Sequence, residues 1–255
     1  ALSSAASDVY KRQYKETGMI SIDQPVGYNT MKSRLYNWKK RGLLSHIRRG
    51  VYLPANIQNK YQIACNSVDN GCLAYHSALE FYMLQTQEFN WLYVHSSTPF
   101  RSFEYLNQRY VYKPLQFIYK PLVTKKDTGY PITVTSISQT IIDCLNNIGL
   151  AGGIEELLFA LIEVDPDSVI EEDMLECLKL YQKKSLYQRT GFILSQLQEQ
   201  LNLSDMFFDV CKKKMGNTTS YLTNPSRCDT YFKEWNVCAP KDVMKEIEKG
   251  VYYEF

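Results

Sequence analysis

Hydrogen-bond donors and positive charges are concentrated in one stretch of this sequence, residues 28–53. Between residues 24 and 68 lie 8 of the chain's 29 basic residues and none of its 27 acidic ones. Such side chains neutralise phosphates and donate hydrogen bonds to the edges of bases. We therefore predict a surface for double-stranded DNA made of Asn29, Thr30, Lys32, Ser33, Arg34, Tyr36, Asn37, Lys39, Lys40, Arg41, Arg48, Arg49 and Tyr52.

A helix comes first among the elements that must position these residues. Asn29 or Thr30 can cap it, because a short polar side chain accepts hydrogen bonds from the free amides of the first turn. The apolar residues of one face recur at i, i+4 and i+7, as Met31, Leu35 and Trp38. The opposite face is polar. Gly42 follows three cations and can take the left-handed position that closes a helix.

Two short strand-like runs follow, at 44–47 and 51–53, on either side of Arg48, Arg49 and Gly50. They predict a hairpin with two arginines at its tip. A helix with a donor-rich face followed by a basic hairpin is typical of a winged helix-turn-helix, in which the helix enters the major groove and the wing contacts the backbone. The alternative is a solvated amphipathic helix beside a surface hairpin. The coincidence of polar face, basic tip and missing acids favours DNA binding.

Composition limits the class of protein. A chain of 255 residues with 45% hydrophobic and 22% charged residues is typical of a globular protein, and its length favours two domains. No apolar run approaches 18 residues, so we expect no membrane partner. Seven cysteines, odd in number and without CxxC spacing, indicate a reducing cytoplasm. The three histidines lack the spacing of metal ligands.

The predicted fold class is α+β, with an N-terminal winged helix-turn-helix followed by an α/β domain of a small sheet plus helices. Residues 1–13 resemble translated sequencing-adapter read-through, and we interpret them as a non-native leader. Residues 14–56 would form the DNA-binding domain, with its first helix truncated. Residues 23–27 are too short for the motif's usual second helix. Residues 57–255 would form the second domain.

Within the second domain the patterns predict strands first and helices afterwards. Val, Ile, Tyr and Phe dominate the strand-like runs, and prolines separate them. The predicted strands are 91–95, 109–113, 115–120, 132–135 and 220–222. The predicted helices are 61–68, 75–84, one from Ser136 onward with a capping box to Gln139, one that Gly152-Gly153 opens and that runs through Val164, 170–183, 186–201, 205–215 and 240–249.

Several stretches together resemble the AbiEi family, the antitoxins of type IV toxin–antitoxin and abortive-infection systems of bacteria. KRGLL at 40–44 and RRGVY at 48–52 fit the family's wing. SAL at 77–79, VTSISQTIID at 134–143 and AGGIEE at 151–156 fit its later helix and its strand-to-helix junction. The resemblance implies a winged helix-turn-helix that represses its own operon. It also implies a C-terminal domain that counters a nucleotidyltransferase-type toxin in phage defence, although some family members are regulators without a toxin.

The patterns for catalysis are weak. Asp143 follows Ser136 and Thr140 on a helix, and a structural role is favoured over a lone acid in an active site. His76 and Ser77 are sequence neighbours, so they point apart on a helix. Gly152-Gly153 lacks the length and the lysine of a phosphate loop. We predict no catalytic residues, no cofactor and no metal.

The predicted function is therefore that of a DNA-binding antitoxin and transcriptional repressor that is not an enzyme. Two alternatives stay open. One is a stand-alone winged-helix regulator with a sensing C-terminal domain. The other is a metal-dependent nuclease with a DNA-binding arm, which would need several convergent carboxylates.

Overall fold

The computed structural model describes residues 20–21, 28–125, 130–241, 243 and 245. Helices and mixed sheets make up this part of the chain, so the fold class is α+β. The chain divides into two compact units. The first unit comprises 1–73, 89–115 and 121–134, and the second comprises 74–88, 116–120 and 135–255. The predicted boundary after residue 56 lies inside the first unit, and a separate 14–56 domain stays a prediction.

The first unit begins with a small three-stranded sheet and a helix. Strand β1 (Ile20–Ser21) pairs with β3 (Val51–Pro54), which also pairs with β2 (Leu44–Arg48), and both pairings are antiparallel. Helix α1 (Tyr28–Lys40) lies between β1 and β2 in sequence. The predicted hairpin is confirmed, and the short stretch at 20–21 that precedes α1 pairs with it. Residues 1–19 and 22–27 lie outside the described residues, so the winged helix-turn-helix assignment stays a prediction.

A six-stranded sheet forms the larger part of the first unit. Its order is β6-β7-β5-β4-β9-β8, with β4–β9 and β5–β7 parallel and the other pairs antiparallel. The strands are β4 (Cys72–Leu73), β5 (Trp91–His95), β6 (Phe103–Tyr105), β7 (Gln108–Tyr112), β8 (Leu122–Lys125) and β9 (Pro131–Val134). Alternate residues such as Leu92 and Val94 are fully buried, as the period of two along a strand requires.

Helix α2 (Lys60–Asn66) is fixed to this sheet by side chains as well as by packing. Asn59 caps it by accepting from the amides of Tyr61 and Gln62 at 3.0 and 3.1 Å. At the other end, Asn66 Nδ2 donates to the Pro131 carbonyl at 2.8 Å. These bonds fix where the helix ends and hence where Ser67, its C-terminal cap, presents its carbonyl oxygen.

The second unit is mainly helical and is built around α4 (Ile137–Asn146), which packs against α3, α5, α6 and α7. Ser136 caps α4 by accepting from the Gln139 amide at 3.3 Å, as predicted. The surrounding helices are α3 (His76–Phe81), α5 (Ile154–Glu163), α6 (Glu171–Tyr181), α7 (Lys184–Leu194) and α8 (Asp205–Lys214). The helices predicted between residues 75 and 215 are confirmed, although most are shorter than predicted.

A third sheet completes the second unit, with β12 (Val237–Ala239) between β10 (Ser220–Tyr221) and β11 (Thr230–Phe232). Gln188 of α7 ties the sheet to the helices, because its Nε2 donates to the carbonyls of Thr218, Trp235 and Asn236 at 2.8–3.2 Å. The buried Trp235 ring lies directly against Gly191 of the same helix. The small residue at 191 is therefore what lets the ring approach the helix.

One predicted strand is wrong. Residues 115–120 are irregular, because the Gln139 side chain satisfies their backbone: Tyr119 N donates to Gln139 Oε1 at 2.8 Å and Gln139 Nε2 donates to Phe117 O at 3.0 Å. The strand forms instead at β8. The helix predicted at 240–249 falls largely outside the described residues. Among the helices that are described, none combines the length and apolar character that a membrane crossing requires.

Candidate nucleic-acid interface

One face of helix α1 is open to solvent along its described length. Ser33, Tyr36, Asn37 and Lys40, spaced at i, i+3, i+4 and i+7, are all exposed, and 67% of Tyr36 is accessible. Leu35 is 1% exposed and holds the opposite face against the core. The side chains of Asn29, Thr30 and Met31 lie outside what the structure describes. The predicted polar face thus exists from residue 32 onward.

The end of α1 concentrates positive charge. Leu43 N donates to Trp38 O at 2.9 Å and Gly42 N donates to Lys39 O at 3.0 Å, which is the Schellman arrangement. Gly42 has φ +70, the left-handed conformation that a glycine adopts without a Cβ penalty. Lys39, Lys40 and Arg41 are exposed at this end, where cations offset the helix dipole. The closing role predicted for Gly42 is confirmed.

The hairpin that follows has an irregular register. His46 pairs with Tyr52, but Arg48 then pairs with Val51, so the register shifts at Ile47. The His46 and Tyr52 rings lie 4.9 Å apart between centroids. Burial lowers the pKa of His46, with a further contribution from Lys39. Tyr52, predicted to contact DNA, is half-buried beside this ring.

The two arginines of the hairpin have different surroundings. Arg49 is exposed at the turn. Arg48 is half-buried, and its Nε donates to the Ser67 carbonyl at 3.0 Å. The Arg48 guanidinium lies 5.8 Å from the ring centroids of both Phe100 and Phe103. Burial lowers the pKa of Arg48, although Asp69 opposes the effect.

Arg48 therefore ties the hairpin to the six-stranded sheet of the same unit. Its hydrogen bond reaches the end of α2, and its aromatic neighbours lie on β6 and just before it. A guanidinium near two rings gains cation–π attraction and retains N–H groups for other acceptors. Sequence reasoning missed this contact, because nothing near Arg48 in the sequence points to a phenylalanine more than fifty residues away. Contact between Arg48 and phosphate stays a prediction.

The thirteen predicted DNA-contacting residues thus fall into three groups. Eight are exposed: Lys32, Ser33, Tyr36, Asn37, Lys39, Lys40, Arg41 and Arg49. Three are half-buried: Arg34, Arg48 and Tyr52. The side chains of Asn29 and Thr30 lie outside the described residues. Seven of the exposed residues present donors along α1 and its end, and Arg49 lies on the turn between β2 and β3. The major groove is wide enough to admit a helix.

The residues weighed for catalysis are buried in the second unit. His76 Nε2 lies 3.2 Å from Glu156 Oε1, and both side chains are 1% exposed. Glu156 also accepts from the Thr86 and Gln87 amides. Burial alone would raise the pKa of Glu156, but the hydrogen bonds it accepts outweigh burial and lower it. This pair therefore holds the 86–87 loop to α5.

Asp143 is also fully buried, and Tyr181 donates to its Oδ1 at 2.5 Å. Burial raises the pKa of Asp143 to about 7, although hydrogen bonds from Tyr181 and Gln139 oppose the shift. Its hydrogen-bond partner is Tyr181 of α6. In the part of the chain that the structure describes, no three His, Cys, Asp or Glu residues group as metal ligands. All seven cysteines lie in that part and carry free thiols.

A solved structure shares this architecture. The crystal structure of the RV2827C protein from Mycobacterium tuberculosis aligns with a TM-score of 0.55 over 97% of this chain and 94% of that one, at 11% sequence identity. A similarity at this identity shows the fold alone. No protein-family model matches the chain, and a search of curated proteins finds no match.

Proposed function

We propose that the protein binds double-stranded DNA through α1 and the β2–β3 hairpin and acts as an antitoxin-type transcriptional repressor in the cytoplasm. The supporting observation is that eight of the thirteen predicted contact residues are exposed on α1 and the adjoining turn, within a segment without acidic residues. Exposed cations attract phosphate, and exposed donors are accessible to the edges of bases.

The two elements have different roles in this proposal. Asn37 and Lys40 on α1 donate to purine acceptors in the major groove, and so they specify sequence. Arg49 and the cations that end α1 hold the phosphate backbone, and so they supply affinity that depends on salt. Asn37→Ala should then relax sequence preference by roughly 1–3 kcal/mol at one base pair.

The antitoxin part of the proposal rests on the resemblance of several sequence stretches to the AbiEi family. In that family a C-terminal domain counters a nucleotidyltransferase-type toxin, and we assign this role to the second unit together with the rest of the chain beyond the hairpin. A stand-alone regulator with a sensing domain is the second candidate. It is favoured by a cleft in the second unit whose lining is partly polar and partly apolar.

The test is a salt titration of binding to two duplexes, the DNA upstream of the coding sequence and a scrambled version. We expect log K to fall linearly with log salt, by about 0.9 for each phosphate contact. Arg41→Gln combined with Arg49→Gln removes two exposed cations assigned to the phosphate backbone and should lower this slope by about two units. Lys184→Gln combined with Lys213→Gln removes two exposed lysines from α7 and α8 and should leave the slope unchanged.

Two results would count against the proposal. One is binding that does not depend on salt, or that falls equally in both double variants. The other is cleavage of the duplex when magnesium is added, which would favour the nuclease alternative instead.

A further inference from the structure

A cleft of about 1010 Å³ opens on the second unit. Its walls come from the end of α4, the start of α5, Arg189 of α7 and the segment around β10 and β11. A volume of this size is at the upper end of small-molecule sites and far exceeds what a single ion needs. The charges within the cleft therefore decide what class of molecule it fits.

Arg189 supplies the most enclosed charge. Its Nε donates to Ser220 Oγ at 3.3 Å and its Nη1 donates to the Asn146 carbonyl at 3.4 Å. These two bonds orient the guanidinium and leave three of its five N–H groups available. Among the residues described, no carboxylate pairs with Arg189. Burial lowers the pKa of its guanidinium. A half-buried guanidinium without a counter-ion is stabilised when an anion binds beside it.

Two further cations line the cleft, Arg227 and Lys241. Arg227 is exposed and, within the described part of the chain, its side chain makes no hydrogen bond or ion pair. Two carboxylates, Glu155 and Asp229, also line the cleft. Asp229 Oδ1 accepts from the Lys241 amide at 2.8 Å and from Thr230 Oγ1 at 2.9 Å, so internal donors occupy it. An incoming ligand therefore meets three cationic side chains, Arg189, Arg227 and Lys241, and one carboxylate, Glu155.

The walls of the cleft also contain side-chain amides and apolar side chains. The amide nitrogens of the Asn146 and Asn224 side chains have no acceptor in the described residues, and Ile148, Leu158 and Leu222 supply apolar surface. An arginine fork recognises phosphate through two parallel hydrogen bonds. We propose that this cleft binds a small phosphate-bearing molecule of mononucleotide size, with its phosphate on Arg189 and Arg227. The ring of the ligand packs on the apolar wall. The polar edge of that ring accepts hydrogen bonds from the side-chain amides of Asn146 and Asn224.

This site is independent of the DNA-binding proposal, since none of its residues belongs to α1 or the hairpin. If both are correct, the ligand gives the second unit a sensing role. The basic segment would also attract a nucleotide, so the experiment has to separate the two places of binding.

The experiment titrates the 255-residue chain with ADP, inorganic phosphate and adenosine by isothermal calorimetry. We expect saturable binding of ADP below about 1 mM, weaker binding of phosphate, and still weaker binding of adenosine. Arg227→Gln should weaken ADP binding about tenfold, because it removes a charge-assisted hydrogen bond. Arg227 is exposed, so this variant keeps the fold. Arg189→Lys retains the charge, loses the fork and should weaken binding similarly.

The matched controls are Lys213→Gln, an exposed cation of α8 outside the cleft, and Lys40→Gln with Arg49→Gln in the basic segment. Both should bind ADP as the unaltered protein does. Three results would overturn the proposal: no binding of ADP up to about 1 mM, adenosine binding as tightly as ADP, or full binding by the Arg227 variant. Loss of ADP binding only in the basic-segment variant would place the ligand there and leave the cleft without a role.

Discussion

Arg48 and Arg49 are adjacent in sequence, but their surroundings predict opposite effects of substitution. Arg49→Gln removes an exposed charge, so we expect an unchanged melting temperature and a salt slope lower by about 0.9. Arg48→Gln removes the bond to Ser67 and the contacts with two rings, so we expect a loss of about 1–2 kcal/mol in unfolding free energy. Its salt slope should stay that of the unaltered protein.

The measurements are thermal or urea unfolding of each single variant and a salt titration of its DNA binding. Arg48→Lys is the informative companion, because it keeps the charge and loses the planar fork. The opposite result would be that Arg48→Gln keeps full stability and lowers the salt slope by about 0.9, the value for one phosphate contact. Arg48 would then hold phosphate, as the sequence predicts, and would not anchor the hairpin.

Asp143 makes stability depend on pH. Its pKa of about 7 in the folded chain exceeds the ordinary value of 3.8, so between these pH values the folded state keeps a proton that the unfolded state has released. The free energy of unfolding therefore falls as pH rises from about 4 to 7 and is level above that. The full effect is on the order of 4 kcal/mol, at about 1.4 kcal/mol for each unit of pKa.

Asp143→Asn removes this titration, so the variant should gain stability relative to the unaltered protein as pH rises through the same window. Urea unfolding at pH 4.5, 6 and 8 measures the difference in unfolding free energy between the variant and the unaltered protein. That difference depends on pH because proton binding is linked to folding. Tyr181→Phe provides a check, because the Tyr181 hydrogen bond lowers the pKa of Asp143 and its loss should extend the window upward. A difference between Asp143→Asn and the unaltered protein that stays constant with pH would contradict the assignment.

At the scale of elements, the packing of α7 on the third sheet depends on a glycine, Gly191, which has no side chain. A Cβ at Gly191 would overlap the ring of Trp235, which is 2% exposed. Alanine in mid-helix gains about 1 kcal/mol over glycine in helix propensity. Overpacking a buried site costs about 1–3 kcal/mol. A tryptophan ring fixed in a core has little room to move. The cost of overpacking should therefore exceed the gain in helix propensity.

We therefore expect Gly191→Ala to lower the unfolding free energy by about 1–2 kcal/mol in urea titration. Gly149→Ala is the matched control, because the nearest atom to its new Cβ is Asn147 Oδ1 at 3.7 Å, an ordinary contact. That variant should lie within about 0.5 kcal/mol of the unaltered protein. Stabilisation by Gly191→Ala would mean that the Trp235 ring moves aside and that helix propensity decides.

Across the whole molecule, the sequence predicts elements whose signals are local. The closing turn at Gly42, the cap at Ser136 and the alternation of β5 depend on residues within a few positions of each other. The wrong strand at 115–120 has the opposite cause. Its composition favours a strand, but the side chain of Gln139, about twenty residues later, takes the backbone hydrogen bonds that a neighbouring strand would need.

The candidate site divides in the same way. Exposure of the α1 face follows from helical periodicity, so the sequence alone locates it. The anchoring of Arg48 and the cleft around Arg189 combine residues that are far apart in the chain, and no spacing rule indicates them. Sequence reasoning therefore identifies the part of the proposed DNA-binding surface that one helix and one turn carry.

The last prediction separates the proposed DNA binding from the proposed antitoxin activity in the 255-residue chain. Deleting 14–56 would remove Leu53, which is fully buried, and would unfold part of the first unit. Replacing Lys39, Lys40, Arg41 and Arg49 by glutamine instead changes only exposed side chains. We expect this variant to lose about 1–2 kcal/mol of stability at most, chiefly from the helix dipole. Its salt slope should fall by between about three and four units.

Antitoxin activity should survive in this variant if the toxin is countered by the rest of the chain. The measurement is growth of cells that co-express the cognate nucleotidyltransferase-type toxin, with both genes under unrelated promoters so that repression plays no part. The Lys184 and Lys213 double variant is the control for changed surface charge. Rescue by a variant that no longer binds DNA would show that the two activities use different surfaces. Loss of rescue by the folded variant would mean that the basic residues that we assign to DNA also contact the toxin.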